Sequence, residues 1–121
     1  MKKIAKFIEC SFLVPLRRDA ALSDGELHPV EAWEWLRDEL YSQFGGQTLA
    51  PGLYQGFYQD PDTGAQVHDE SYRFIVAVSE DKIPDLRMLL QACCVMFAQK
   101  CIYLSRGGIV EFIEVEESDA N

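Results

Sequence analysis

Six side chains are spaced so that a β-sheet would bring them within reach of one another. Glu9 and Ser11 sit in one apolar segment, Tyr54 and Tyr58 in a second, and Glu70 and Arg73 in a third. Residues two apart on a strand share a face. Glu9 and Ser11 therefore look the same way, and Arg73 looks the same way as Ile75 and Ala77. On neighbouring strands, Glu9 and Arg73 are expected to meet across the sheet centre. A carboxylate and a guanidinium on an apolar floor bind a polar small molecule or hold a proton acceptor. The plainer role is an ion pair between two half-buried charges, and it takes precedence.

Gly52, Tyr54, Gly56 and Tyr58 alternate along one strand. Gly56 between the tyrosines would open a slot for a flat ligand, or mark a bulge or bend. His68 and Glu70 offer two metal ligands with no evident third unless His28 comes close in space, so no metal site is expected. No cofactor is expected either. Ser11, Ser71 and Ser105 lack the surroundings of a catalytic serine, and no cysteine–histidine pair is readable. The catalytic residues, if any, are unassigned.

The elements that must position these residues follow from hydrophobic periodicity. The first strand is expected from about Ile4 to Leu16, with Ile8, Cys10, Phe12 and Val14 facing a helical layer. A polar loop turns at Asp24-Gly25. Val30, Trp33, Leu36, Leu40 and Phe44 then form a helical stripe, opened by Pro29 and stopped by Gly45-Gly46. Thr48 to Gln59 and Gln66 to Val78 make a β-hairpin about the Asp60-Pro61-Asp62-Thr63-Gly64 turn. A second helix is expected from Pro84 to about Lys100, with Leu86, Leu90, Cys93 and Phe97 as its core stripe. A further apolar stripe on it, Met88, Leu89, Ala92, Val95 and Met96, asks for extra cover. Two short strands, Cys101 to Ser105 and Ile109 to Val115, close the chain.

This order suits an α+β ferredoxin-like βαββαβ sandwich with one additional C-terminal strand, two helices on one face of an antiparallel sheet. The 121 residues are read as one domain, with 116–121 a frayed acidic tail. The open sheet face would carry Phe7, Leu13, Ile75 and Ala77, too apolar to stay wet. A homodimer covering it is the expectation, with Met88, Val95 and Met96 as a rival surface.

The stretch Gly45-Gly46-Gln47-Thr48, then Gly52-Leu53-Tyr54-Gln55-Gly56-Phe57-Tyr58, then Gly64 and His68-Asp69-Glu70-Ser71, resembles small bacterial families of unknown function with a ferredoxin-like fold. In those a helix ends in glycines, and a glycine-aromatic strand leads into a glutamate-bearing strand. The resemblance covers about half the chain, implies the same plait, and implies no activity.

Composition narrows the classes. A net charge of -9 disfavours nucleic acid and anionic membranes as partners. No apolar run is long enough to span a bilayer. The basic start lacks a cleavage site and is interrupted by Glu9 and Arg17, so it is not read as a signal peptide. Cys10, Cys93, Cys94 and Cys101 sit in apolar surroundings without metal-ligand spacing, which points to structural thiols in a reducing cytosol. The leading expectation is a dimeric, non-enzymatic interaction module with a protein or small-molecule partner. The alternatives are a small dimeric α+β barrel enzyme or ligand-binding protein with a polar site on the sheet, and, last, a nuclease-like module.

Overall fold

The computed structural model describes residues 6–60 and 62–115. Its first strand, β1, spans Ile8–Pro15. Ile4, Lys2 and Lys3, expected at its entry, lie outside the described residues, as does the acidic tail. The alternation holds: Cys10, Phe12 and Val14 are fully buried, as expected of side chains facing helices. Helix α1, Val30–Phe44, starts immediately after Pro29, which caps it in an extended conformation. It ends at Gly45, whose φ of 83° is the left-handed stop that glycine takes without steric cost. The expected stripe is corrected at one end: Val30 is exposed, and Ala32, Leu36 and Leu40 are the buried residues. Trp33 and Trp35 are both half-buried against the core.

The next arm is two strands rather than one. β2 is Thr48–Leu49, β3 is Tyr54–Gln59, and both pair with β4, Gln66–Val78. The break falls at Pro51-Gly52, where Gly52 has a φ of 80°. Between Ala50, whose amide donates to the Arg73 carbonyl, and Tyr54, which faces Ser71, the arm spends four residues passing two of β4. Helix α2 spans Ile83–Met96 after a short 3-10 turn. Strands β5, Cys101–Arg106, and β6, Ile109–Glu114, form the closing hairpin.

The result is a small α+β structure, with one six-stranded antiparallel sheet and two helices. The strand order is β2-β4-β1-β5-β6, and β3 lies beside β4 as well. β1 and β4 are central, paired from Ile8↔Val78 to Pro15↔Ser71. Phe12 and Phe74 stack at 5.3 Å in the core, with Leu36, Leu40, Leu86 and Leu90 buried around them. Each such side chain contributes about 1.5–3 kcal/mol by leaving water. Leu89, expected on the uncovered stripe of α2, is buried as well, whereas Met88, Val95 and Met96 are exposed. No described helix is long and apolar enough to cross a membrane.

The opposite sheet face carries the odd residues of β1 and β4. The register corrects the expected Glu9–Arg73 contact. Glu9 faces Ala77, and Arg73 faces Leu13, four residues further along. A separation of about 14 Å follows from the strand rise, too far for an ion pair within one chain.

Candidate functional site

β4 outruns β1. Past the Pro15↔Ser71 pair, β4 continues to Gln66 with only β3 beside it. The chain beyond β1 makes one more ladder bond, Leu16 amide to Glu70 carbonyl at 2.8 Å, and then leaves the sheet. It folds back on itself through an Arg17↔Leu27 bridge, with Arg18 gripping Asp24 at 2.7 Å. The loop is fastened to the start of β5: the Asp19 amide donates to the Ala98 carbonyl at 2.9 Å, and Gln99 Nε2 donates to the Arg17 carbonyl at 2.8 Å. His28, buried against Trp33 and Phe97, has Nε2 2.8 Å from the Pro15 carbonyl, so that nitrogen carries the proton. Burial lowers the His28 pKa and keeps the ring neutral.

Between this loop and the β3–β4 hairpin lies a cleft of about 760 Å³, within the range of small-molecule sites. Tyr58, Asp69, Cys101 and Glu114 line it, with Lys100 and Asp60 also on its wall. The Lys100 ammonium sits 3.2 Å from Asp60 and 2.9 Å from Asp62, tying the hairpin turn to the α2–β5 junction. Asp60 also accepts from the Asp62 and Thr63 amides at 2.8 and 3.1 Å. The turn is thereby built around one carboxylate.

Five acids, Asp19, Asp60, Asp69, Glu70 and Glu114, line the cleft against three cations, Arg17, Arg18 and Lys100. Burial, and then the charge of the adjacent Asp69 carboxylate, push the Tyr58 phenol up to about 12. It is a neutral hydrogen-bond donor at physiological pH. Burial also raises Asp69, with its contact to Tyr58 pulling the other way. Cys101 is raised, by burial first and then by Glu114, Asp19 and Asp69, so it is a thiol rather than a thiolate. The expected slot at Gly56 is not open: a β-carbon there would collide with the Asp69 carboxylate, which takes that space. What glycine makes room for is an acid.

The six residues singled out in the sequence divide. Tyr58 and Glu70 line the cleft. Tyr54, Arg73 and Ser11 form a second group further along the same sheet face as Tyr58: Arg73 Nη2 donates to Ser11 Oγ at 3.3 Å, and the guanidinium lies 5.7 Å from the Tyr54 ring centre. Glu9 stands apart from both. Asp69, Asp19, Cys101, Glu114 and Lys100 were not singled out. Asp69 was legible from hairpin register, since it faces Gly56 and shares parity with Val67, the partner of Tyr58. The others come from segments far apart in sequence and carry no local signal. His68 packs edge-on against Phe57 at 4.4 Å, and the described residues contain no group of three or more metal-ligating side chains.

Comparison with family models finds no match, and comparison with curated proteins finds none. Two solved structures share the fold. A phage SAM lyase in complex with S-methyl-5'-thioadenosine superposes with a TM-score of 0.70 at 16% identity. A phage SAM lyase in the apo state superposes with a TM-score of 0.61 at 15% identity. Each comparison covers 98% of both chains. These findings overturn the expectation of a non-enzymatic interaction module: the two solved proteins that share this fold from end to end are enzymes. The polar groups of the cleft converge from five segments and so leave no local signature in the sequence.

Proposed function

We propose that this chain is a small enzyme that binds a sulfonium nucleoside of the S-adenosylmethionine (SAM) type in the cleft beside Tyr58 and breaks a carbon–sulfur bond, releasing S-methyl-5'-thioadenosine. The observation that carries this reading is the cleft itself, where a neutral phenol and the carboxylates of Asp69, Asp19 and Glu114 surround a space of ligand size. A sulfonium is a fixed cation, and the partly buried Asp69 carboxylate favours it over neutral thioethers. The fold shared with the phage SAM lyases supports the substrate class.

The step balances without an added reactant. The electron pair of the broken bond stays on sulfur, which becomes a neutral thioether. The carbon it leaves is satisfied from within the substrate, by its own carboxylate oxygen or by loss of a proton from the adjacent carbon. Asp69, made more basic by burial, takes a proton or holds the developing charge, and the Tyr58 hydroxyl orients the nucleoside.

The finer fold reading is a ferredoxin-like plait with a split second strand and an added β6. The central β1 and β4, with β5 on one side and the β2–β3 arm on the other, support it. Four free cysteines, three of them buried, fit a reducing cytosol.

The test is incubation of purified protein with SAM, followed by mass spectrometry for S-methyl-5'-thioadenosine. Time-dependent release that falls at least a hundredfold in Asp69→Asn, with Tyr58→Phe also impaired, is the expected result. No release, together with no calorimetric binding of the thioadenosine, would sink the reading.

A further inference from the structure

The face of the sheet away from the helices has a charge arrangement that one chain cannot satisfy. Arg73 is half-buried at its centre. Its contacts are the Ser11 hydroxyl and the Tyr54 ring. Among the described residues no carboxylate lies within 4.0 Å of it. Glu9, exposed on the same face, likewise has no cationic partner among the described residues. Around them the face is apolar, with Leu13, Ile75 and Ala77 at the centre and Phe112, 64% exposed, toward the β6 edge.

The two charges are placed symmetrically. Ser11 faces Ile75, Glu9 stands two residues to one side of that pair on β1, and Arg73 stands two residues to the other side on β4. We propose that a second copy of this chain covers this face, seated so that Glu9 of one copy meets Arg73 of the other. A two-fold axis lying between the sheets, across the strands at the level of Ser11 and Ile75, carries each Arg73 to the partner's Ala77–Glu9 end. Both ion pairs then form at once. Packed sheets lie about 10 Å apart, a gap that an arginine and a glutamate side chain span together. Covering the face without this pairing would bury an unpaired guanidinium, so the same contact that dries the apolar residues also selects the register.

Glu9 and Arg73 line no part of the cleft beside Tyr58, so this inference does not rest on the proposed activity. Sedimentation analysis at micromolar concentration is the test. The wild-type protein is expected to be an oligomer. Glu9→Arg alone and Arg73→Glu alone should each weaken association at least tenfold, and the double exchange E9R/R73E should restore it. Glu9 is exposed, so its variant keeps the fold, and far-UV circular dichroism verifies both singles. A monomeric wild type overturns the proposal, as do single variants that associate normally or a double exchange that fails to recover. Loss of SAM binding in Arg73→Glu with unchanged mass also overturns it, placing the guanidinium on the substrate carboxylate instead.

Discussion

The Asp69 carboxylate lies over Gly56 on the neighbouring strand, in the volume a β-carbon would fill, and beside the Tyr58 phenol. This relationship sets the chemistry of the cleft. A hydrogen at position 56 lets an acid lie flat across the hairpin, and that acid holds its neighbour's proton.

Gly56→Ala should displace the carboxylate rather than unfold the hairpin, because the colliding atoms are the far end of a side chain that can rotate. A cost of about 1 kcal/mol, at the low end for overpacking, is expected in thermal melts. The Tyr58 ionisation should move down from about 12 toward the ordinary 10. Tyrosine-selective NMR across alkaline pH reads this directly, and an unmoved Tyr58 would refute the coupling.

Tyr58 also makes stability fall in alkali. Its native pKa is raised above the unfolded value of 10 to about 12. The native state therefore holds the proton more tightly. Its contribution is fully present below pH 10 and is lost as pH rises through 12. The raised cysteines act in the same direction from about pH 9. The readout is accordingly the difference between wild type and Tyr58→Phe in denaturant midpoints, which should shrink between pH 10 and 12.

Lys100→Met should loosen the hairpin turn without touching the core. Its ammonium ties Asp60 and Asp62 to the start of β5. Amide exchange over residues 54–60 and 66–70 should accelerate several-fold, while that of the buried α2 residues Leu90 and Cys93 stays unchanged. The Asp60 carboxyl is lowered, chiefly by the amides of Asp62 and Thr63 and then by Lys100. The order it confers is therefore present above pH 3.8 and is lost as acid protonates it. Exchange rates independent of Lys100 would show that the strap holds nothing.

Glu111 is gripped by Arg87 of α2 at 3.1 Å and by Arg106 of β5 at 3.2 Å. Burial raises its pKa, but the two guanidinium contacts outweigh that and the net shift is downward. Glu111→Gln should cost about 1 kcal/mol near neutrality, the upper end for partly exposed pairs. The cost should be fully present above pH 4.5 and should fade as pH falls through the lowered pKa of the folded-state acid. A loss independent of pH would assign the effect to packing.

Most elements of the fold were legible in the sequence because they follow from periodicities of two and 3.6. Phe12 and Val14 against Leu36 and Leu40, and Gly45 as a stop, needed only local rules. Two positions escaped for local reasons of another kind. Pro51-Gly52 divides one expected strand into β2 and β3, since a left-handed glycine after a proline interrupts pairing that hydrophobicity alone would continue. Leu89 is buried although its neighbours Met88 and Val95 are not, because the surface α2 covers is set by where β5 and β6 lie.

The sequence by itself determined the element order, the buried residues of the central strands, the reduced state expected of the thiols and the acidity of the surface. Those properties reside in single residues and their near neighbours. The tertiary structure alone decided that Glu9 and Arg73 are kept apart, that Asp69 fills the place offered by Gly56, and that Asp19, Cys101 and Glu114 converge on Tyr58. The physical reason is register. Which side chains face one another across a sheet, and which gap opens where one strand outruns its partner, depend on pairings between distant segments, and those are fixed only when the whole core packs at once.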